Sequence, residues 1–287
     1  MSFYLTLIAA PGHLDPALIA RVAAAAGAAS PVTLSPDEAV DLPCPAAPAP
    51  AALRAALGDA PVDAVVTPAS NRRKRLLIAD MDSTVVVGET LDELAHFAGV
   101  GDRVATITAR AMAGEIDFKG ALRERVALLE GLNLAALEQT WAVTRMMPGA
   151  RELVATMRRH GATTALVSGG FTFFTARVAA ALGFHENRAN ILLDDGAKLL
   201  GRVGEPILDR TSKLESLQEL AAIHGLSLED CLAVGDGAND LDMIGAAGLG
   251  VAYHAKPIVA GAARVRIDHG DLRALLFMQG YAATEFS

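Results

Sequence analysis

The sequence predicts an α/β protein: a parallel sheet covered on both faces, a helical insert after its first strand, and a small α+β region in front. Three observations carry that expectation. From residue 76 onward short apolar runs alternate with helix-like stretches, as strands joined by crossover helices do. Between about 89 and 145 the alternation stops and only helical patterns occur. Ahead of residue 71 the order reads strand, helix, strand, strand, helix, strand, which suits a ferredoxin-like unit. The expected division is 1–71 and 72–287, with the insert at about 89–145 lying over the larger unit as a cap.

The elements follow in order. Residues 3–9 form an apolar strand, and Asp15-Pro16 opens an alanine-rich helix over 14–26; Pro is tolerated in a first helical turn, and Ala is the strongest helix former. Short strands at 32–34 and 39–42 precede a proline-rich stretch, a helix at 51–57 and a strand at 62–66. The basic run Asn71-Arg72-Arg73-Lys74-Arg75 reads as a solvated edge before the next strand. Core strands are expected at 76–79, 163–167, 231–234, 250–253 and 265–267, with helices at 147–160, 172–182, 213–224 and 240–247. Residues 191–193 and 198–203, joined by Asp194-Asp195-Gly196-Ala197, read as a hairpin beside the sheet. The insert supplies helices at 90–98, 102–113, 119–129 and 134–141.

Composition narrows the function. With 287 residues, 52% of them hydrophobic, the chain can bury one full core and a smaller one. A net charge of −8 argues against a general nucleic-acid binder. Cys44 and Cys231 lack zinc or disulfide spacing and read as ordinary thiols of a reducing compartment. The N-terminus has no basic leader, and every apolar stretch is broken well short of the roughly 18 residues that a membrane span needs. The expectation is a cytoplasmic protein without nucleic-acid or membrane partners.

Four segments carry chemistry. Leu76-Leu77-Ile78-Ala79 runs into Asp80-Met81-Asp82. Residues two apart on a strand point the same way, and ligands in open α/β sheets sit beyond the strands' carboxyl ends. Two acids so placed need a cation or a shared proton; alone, the pair is a weak signal, and a turn with a helix N-cap is the plain alternative. Ser168-Gly169-Gly170 follows the second core strand, where a hydroxyl and bare backbone N–H groups can face a phosphate or form a plain glycine turn. Lys213 opens a helical run; a cation there opposes the helix dipole unless an anion is near, and a surface lysine is the plain alternative. Val234-Gly235-Asp236-Gly237-Ala238-Asn239-Asp240 again ends an apolar strand in acids. Asp236 and Asp240 can join Asp80 around a hard cation, and Mg²⁺ fits such oxygen ligands.

Together, Asp80 to Thr84, Val167 to Gly170, Lys213 and Gly235 to Asp240 resemble the four motifs of the haloacid dehalogenase superfamily. Within it, Glu89, the stretch from Ala111 to Phe118 and Leu122 to Val126 look like the cap of the phosphoserine phosphatases. The resemblance covers about 76–280; residues 1–70 are more weakly similar to an ACT-like regulatory region, leaving ligand binding or a homodimer open there. It implies a Rossmann-like parallel sheet with a helical cap and Mg²⁺-dependent hydrolysis of O-phospho-L-serine, the last step of serine biosynthesis. Asp80 would be the nucleophile and Asp82 the acid/base. Mg²⁺ would lie at Asp80, Asp236 and the main-chain carbonyl of Asp82. Lys213, Ser168, Gly169 and Gly170 would hold the phosphoryl group, with Asn239 and Asp240 orienting the site. In the cap, Glu89 would take the substrate ammonium, Arg125 its carboxylate, and Met112 and Phe118 an apolar wall. Other readings stay open: a phosphatase for phosphohomoserine, phosphothreonine or a sugar phosphate, a phosphotransferase to an acceptor alcohol, or an amino-acid sensor.

Overall fold

The structure, a computed structural model, describes residues 2–112 and 115–287. Its N-terminal part contains β1 (Phe3–Ala9), α1 (Pro16–Ala26), β2 (Val32–Ser35), β3 (Ala39–Cys44), α2 (Pro50–Leu57) and β4 (Val62–Pro68). The four strands form an antiparallel sheet in the order β2-β3-β1-β4. Strand alternation gives that sheet two buried faces. Leu5 and Leu7 pack with Leu18, Val22 and Leu53 of the two helices. Ile8 belongs instead to the main core, with Ala39 and Val65.

The rest of the chain runs β5 (Leu76–Ala79), α3 (Thr90–Phe97), α4 (Gly101–Met112), α5 (Phe118–Ala127), α6 (Ala135–Val143), α7 (Ala150–Arg159), β6 (Thr163–Phe171), α8 (Thr172–Leu182), β7 (Glu186–Asn190), β8 (Leu192–Asp194) and β9 (Leu199–Val203). It continues through α9 (Arg210–Ile223), β10 (Cys231–Gly235), α10 (Leu241–Ala246), β11 (Leu249–Tyr253), α11 (Pro257–Ala262), β12 (Val265–Ile267) and α12 (Ala274–Phe277). Six strands form a parallel sheet in the order β12-β11-β10-β5-β6-β7. The chain builds outward from β5 on one side and then on the other, so a crevice is expected at the carboxyl end of β5. Leu77 and Ala79 face the large core, while Leu76 and Ile78 pack with Leu217 and Leu220 of α9. No helix among the described residues is long and apolar enough to cross a membrane.

Four expectations are corrected. The strand β7 was not anticipated: its residues, Glu-Asn-Arg-Ala-Asn, are polar because it is a sheet edge. The hairpin β8–β9 does not lie beside the sheet. It joins the cap, where Asn133 bridges Lys198 and the Gly131 N–H donates to the Leu199 carbonyl at 2.9 Å. Lys213 does not open its helix. Asp209 caps α9, accepting from the Ser212 N–H, and Lys213 is the fourth helical residue. Finally, the basic run at 71–75 is solvated only in part: Asn71, Arg73 and Arg75 are exposed, but Arg72 and Lys74 are not. The Arg72 side chain is only 10% exposed and forks onto Asp41, 4% exposed, at 2.5 and 2.6 Å.

Arg72 also donates to Thr6 Oγ1 at 2.8 Å and to the Met278 carbonyl at 3.0 Å, tying the N-terminal sheet to the segment after α12. Removing one partner of a buried pair strands the other charge. Arg72→Ala should therefore destabilise the protein by about 3–5 kcal/mol in urea unfolding, and a loss below about 1 kcal/mol, the scale of a surface pair, would show that the clamp is unimportant.

Candidate active site

Sheet register assembles the site. Ala79 of β5 pairs with Val234 of β10 on one side and Leu166 of β6 on the other. Continuing each strand by one or two residues puts Asp80, Asp236 and Ser168 in one layer at the carboxyl edge. The break in pairing along β6 falls between Val167 and Phe171, so Ser168, Gly169 and Gly170 leave the ladder where a ligand would approach.

At the centre lies a buried ion triad. Lys213 Nζ is 2.8 Å from Asp80 Oδ1 and 2.6 Å from Asp240 Oδ1. Burial alone would lower the Lys213 pKa, but Asp240 and Asp80 outweigh it and hold the ammonium above its ordinary range. Burial, then the charge of Asp240, pushes Asp80 well up, and Lys213 opposes both. Asp240 Oδ2 accepts from the Gly237 N–H at 3.0 Å. Gly235 is required beneath it, since a Cβ there would lie 2.3 Å from Asp240 Cγ.

Asp80, Asp236 and Asp240 each offer a carboxylate oxygen within 4.8 Å of the others. Burial also raises the Asp236 pKa. Hard oxygen donors drawn this close, with too little positive charge beside them, fit a divalent cation. The Asp82 side chain is not in this cluster. Its Oδ1 accepts from the Thr90 N–H at 2.8 Å, at the start of α3, and its Oδ2 lies 3.5 Å from Ser168 Oγ. Asp82 thus receives the first N–H of α3 from outside the helix, whose N-cap residue is Glu89, while also standing in the site. Burial, then the charge of Glu89, pushes Asp82 up to about 7.

The remaining residues surround this centre. Ser168 Oγ accepts from the Gly170 N–H at 2.9 Å. Gly170 has no room for a side chain: a Cβ would meet Asp82 Oδ2 at 2.8 Å. Over Gly169 lies the Phe118 ring, 3.0 Å from where a Cβ would stand. Asn239 is half-buried and folds its carboxamide over Gly237. Glu89 is exposed at the mouth, accepting from Ser83 Oγ at 3.0 Å. Arg125 is half-buried and, among the described residues, has no ion-pair partner; its Nε reaches only the Ala121 carbonyl of its own helix, at 3.3 Å. Burial lowers its pKa, against the pull of Asp92 and Glu89. Met112 ends α4, and its side chain, with Ala113 and Gly114, lies outside the described residues. The cap is docked on the core by Lys119, 2.9 Å from Asp209.

Sequence reasoning missed two residues. Asn190, buried at the end of β7, donates to the Gly169 carbonyl at 2.8 Å and accepts from the Leu208 N–H at 2.7 Å, fixing the glycine segment. Lys256 follows β11 and places Nζ 3.3 Å from Asp236 Oδ2 and 3.9 Å from Glu89 Oε1. A lysine just beyond the strand adjoining β10 was the available signal.

Residues 77–244 match the sequence profile of the haloacid dehalogenase-like hydrolases. The chain is 46% identical over 208 residues to a phosphoserine phosphatase of Polaromonas, covering 70% of this chain and 88% of that protein. It is 45% identical over 216 residues to a phosphoserine phosphatase of Archaeoglobus fulgidus, covering 75% of this chain and 63% of that one. It spans 56% and 52% of the relatives from Streptomyces coelicolor and Mycobacterium tuberculosis, so several relatives are much longer. A haloacid dehalogenase family hydrolase from Salmonella enterica serovar Typhi superposes with a TM-score of 0.87 at 27% identity, covering 97% of this chain and 98% of that one.

The triad generates a stability prediction independent of any reaction. Lys213→Met leaves two buried carboxylates unpaired and should cost the metal-free protein about 3–5 kcal/mol in denaturant unfolding. Saturating divalent cation should recover part of that loss; an ion that stabilises neither wild type nor variant would mean that the cluster binds none.

Proposed function

The chain belongs to the haloacid dehalogenase-like hydrolases, and on that premise we propose that it is a phosphoserine phosphatase, hydrolysing O-phospho-L-serine to L-serine and phosphate. The observation that carries this reading is the pairing of Asp80, held by Lys213, with an Asp82 whose carboxyl is pushed up to about 7. Lys213 works against the upward push on Asp80 and so favours its charged form, while Asp82 can carry a proton. Glu89 and Arg125 offer one charge of each sign for the amino-acid part of the substrate.

The chemistry follows from those positions. An Asp80 carboxylate oxygen attacks phosphorus, and the bond from phosphorus to the serine oxygen breaks. The leaving oxygen takes the bond's electron pair and the Asp82 proton. Asp82, now a carboxylate, accepts a proton from water. The resulting hydroxide attacks the aspartyl phosphate, and the electron pair of the broken bond returns to Asp80. Phosphate leaves, and both carboxyl groups are restored. Lys213 and the Ser168–Gly170 segment hold the phosphoryl oxygens through both halves.

Asp80, Asp236 and the main chain at Asp82 are the groups that would hold Mg²⁺, with Asp240 beside them. When bound, the ion supplies charge neutralisation between an anionic nucleophile and an anionic phosphate. In the cap, Glu89 takes the substrate ammonium and the planar fork of Arg125 takes its carboxylate. Phe118, packed on Gly169, excludes water on that side.

Two predictions follow. Magnesium-dependent phosphate release, screened without an acceptor alcohol over phosphorylated amino acids, sugars and nucleotides, should be greatest with phosphoserine. Asp80→Asn should abolish it, whereas release only when an acceptor alcohol is supplied would point to a phosphotransferase. In Glu89→Ala, kcat/KM for phosphoserine should fall by about 100-fold, a loss on the scale of a charge-assisted hydrogen bond, while a small aryl phosphate loses little. Parallel losses on both substrates would contradict the cap assignment.

A further inference from the structure

Lys256 takes no step in the chemistry above. It lies in the turn between β11 and α11, at the same edge of the sheet as Asp236. Its own N–H donates to the Asp236 carbonyl at 3.2 Å, which ties the turn to the acidic segment. Its ammonium then curls back to the Asp236 carboxylate at 3.3 Å, with Glu89 at 3.9 Å. The side chains of the pair differ sharply in exposure: Lys256 is 52% exposed and Asp236 only 7%. Among the described residues, Asp236 Oδ1 has only a long contact of its own, accepting from Thr84 Oγ1 at 3.4 Å.

The two lysines at the cluster are therefore unlike. Lys213 is sealed between Asp80 and Asp240 and cannot leave without stranding buried charge. Lys256 reaches Asp236 from solvent on a flexible four-carbon stem. An ammonium and a divalent ion close to one carboxylate repel each other, and the mobile one must yield.

We propose that Lys256 is an exchangeable counter-cation of the metal pocket: its ammonium pairs with Asp236 while the divalent ion is away and surrenders that carboxylate when the ion arrives. The inference rests on the reading of Asp80, Asp236 and Asp240 as a divalent-cation site. Lys256 competes for Asp236, so it reduces the pocket's apparent affinity for the ion to the intrinsic value multiplied by the fraction of molecules in which that carboxylate is free. It also relieves carboxylate repulsion in the metal-free protein. After release its stem keeps the charge beside Glu89, at the mouth of the site.

The test uses the full chain, stripped of metal, as wild type, Lys256→Met and Lys256→Arg. Each is titrated with MgCl₂ by calorimetry and melted with and without saturating MgCl₂. Lys256→Met should bind Mg²⁺ about fivefold more tightly, while Lys256→Arg, which keeps the charge, should stay within about twofold of wild type. The Met variant should also melt lower than wild type without Mg²⁺ and gain more on saturation. Affinity unchanged or weakened in Lys256→Met, with melting lowered equally in both conditions, would reduce Lys256 to a surface ion pair and overturn the proposal. Wild type that binds no Mg²⁺ at all would instead remove the cation site itself, and this inference with it.

Discussion

The structure depends on finding enough positive charge for carboxylates that the fold takes out of water. Asp80, Asp236 and Asp240 are all buried, and their oxygens crowd within 4.8 Å. Such groups persist as anions only beside cations or strong donors. One buried lysine, placed in the first turn of α9, serves Asp80 and Asp240 at once. Its placement is set by local sequence. The Asp209 and Ser212 capping pair starts the helix three residues earlier, so that Lys213 points into the sheet's edge. Asp236 is served more weakly, from solvent, which makes it the part of the cluster most ready to take up another cation.

The same crowding explains the glycines. Gly235 and Gly170 leave no space for a methyl group because carboxylates stand where it would be, Asp240 in one case and Asp82 in the other. At Gly169 the neighbour is the Phe118 ring, so the cap and the core meet over bare backbone. Asn190 holds that backbone from below through the Gly169 carbonyl. Substituting any of these three glycines would displace a reacting group or lift the cap, which is why the motif needs glycine on grounds of space, since none of the three has a left-handed φ.

Much of this architecture was legible because strong local signals agreed. Leu76–Ala79 and Val265–Ile267 form strands with the bounds that their apolar runs mark, and the three acid- or hydroxyl-bearing segments do converge with Lys213 at one sheet edge. The failures share a physical cause: burial that charge or polarity conceals. Glu186–Asn190 looks like a loop because an edge strand needs few apolar residues, yet Asn190 is buried. Arg72 and Lys74 sit in a run that reads as solvated, but partners distant in sequence hold them inside. The hairpin's docking on the cap depends on Gly131 and Asn133, whose partners no periodicity reveals. Lys256 escaped notice because its one signal is positional, a place just beyond the strand adjoining β10.

Those hidden contacts also decide how the N-terminal region relates to the reacting groups. One face of its sheet is spent on the main core through Ile8 and Val65, and Arg273 reaches Glu38 at 2.7 Å. Asp63, buried at the start of β4, accepts from the backbone N–H groups of Asp268, His269 and Gly270, Gly270 at 2.7 Å. Gly270 in turn receives His254 Nε2 at 2.9 Å on its carbonyl. His254 holds a left-handed backbone, φ 43°, two residues before Lys256. A bulky residue in that conformation needs surrounding structure to hold it, and the loop anchored by Asp63 supplies part of that hold. Moving the N-terminal sheet away would expose Asp41 and Arg72 and strip Asp63 of three donors at once. A region that carries none of the reacting side chains is thus tied, by a short series of hydrogen bonds, to the turn whose lysine faces Asp236.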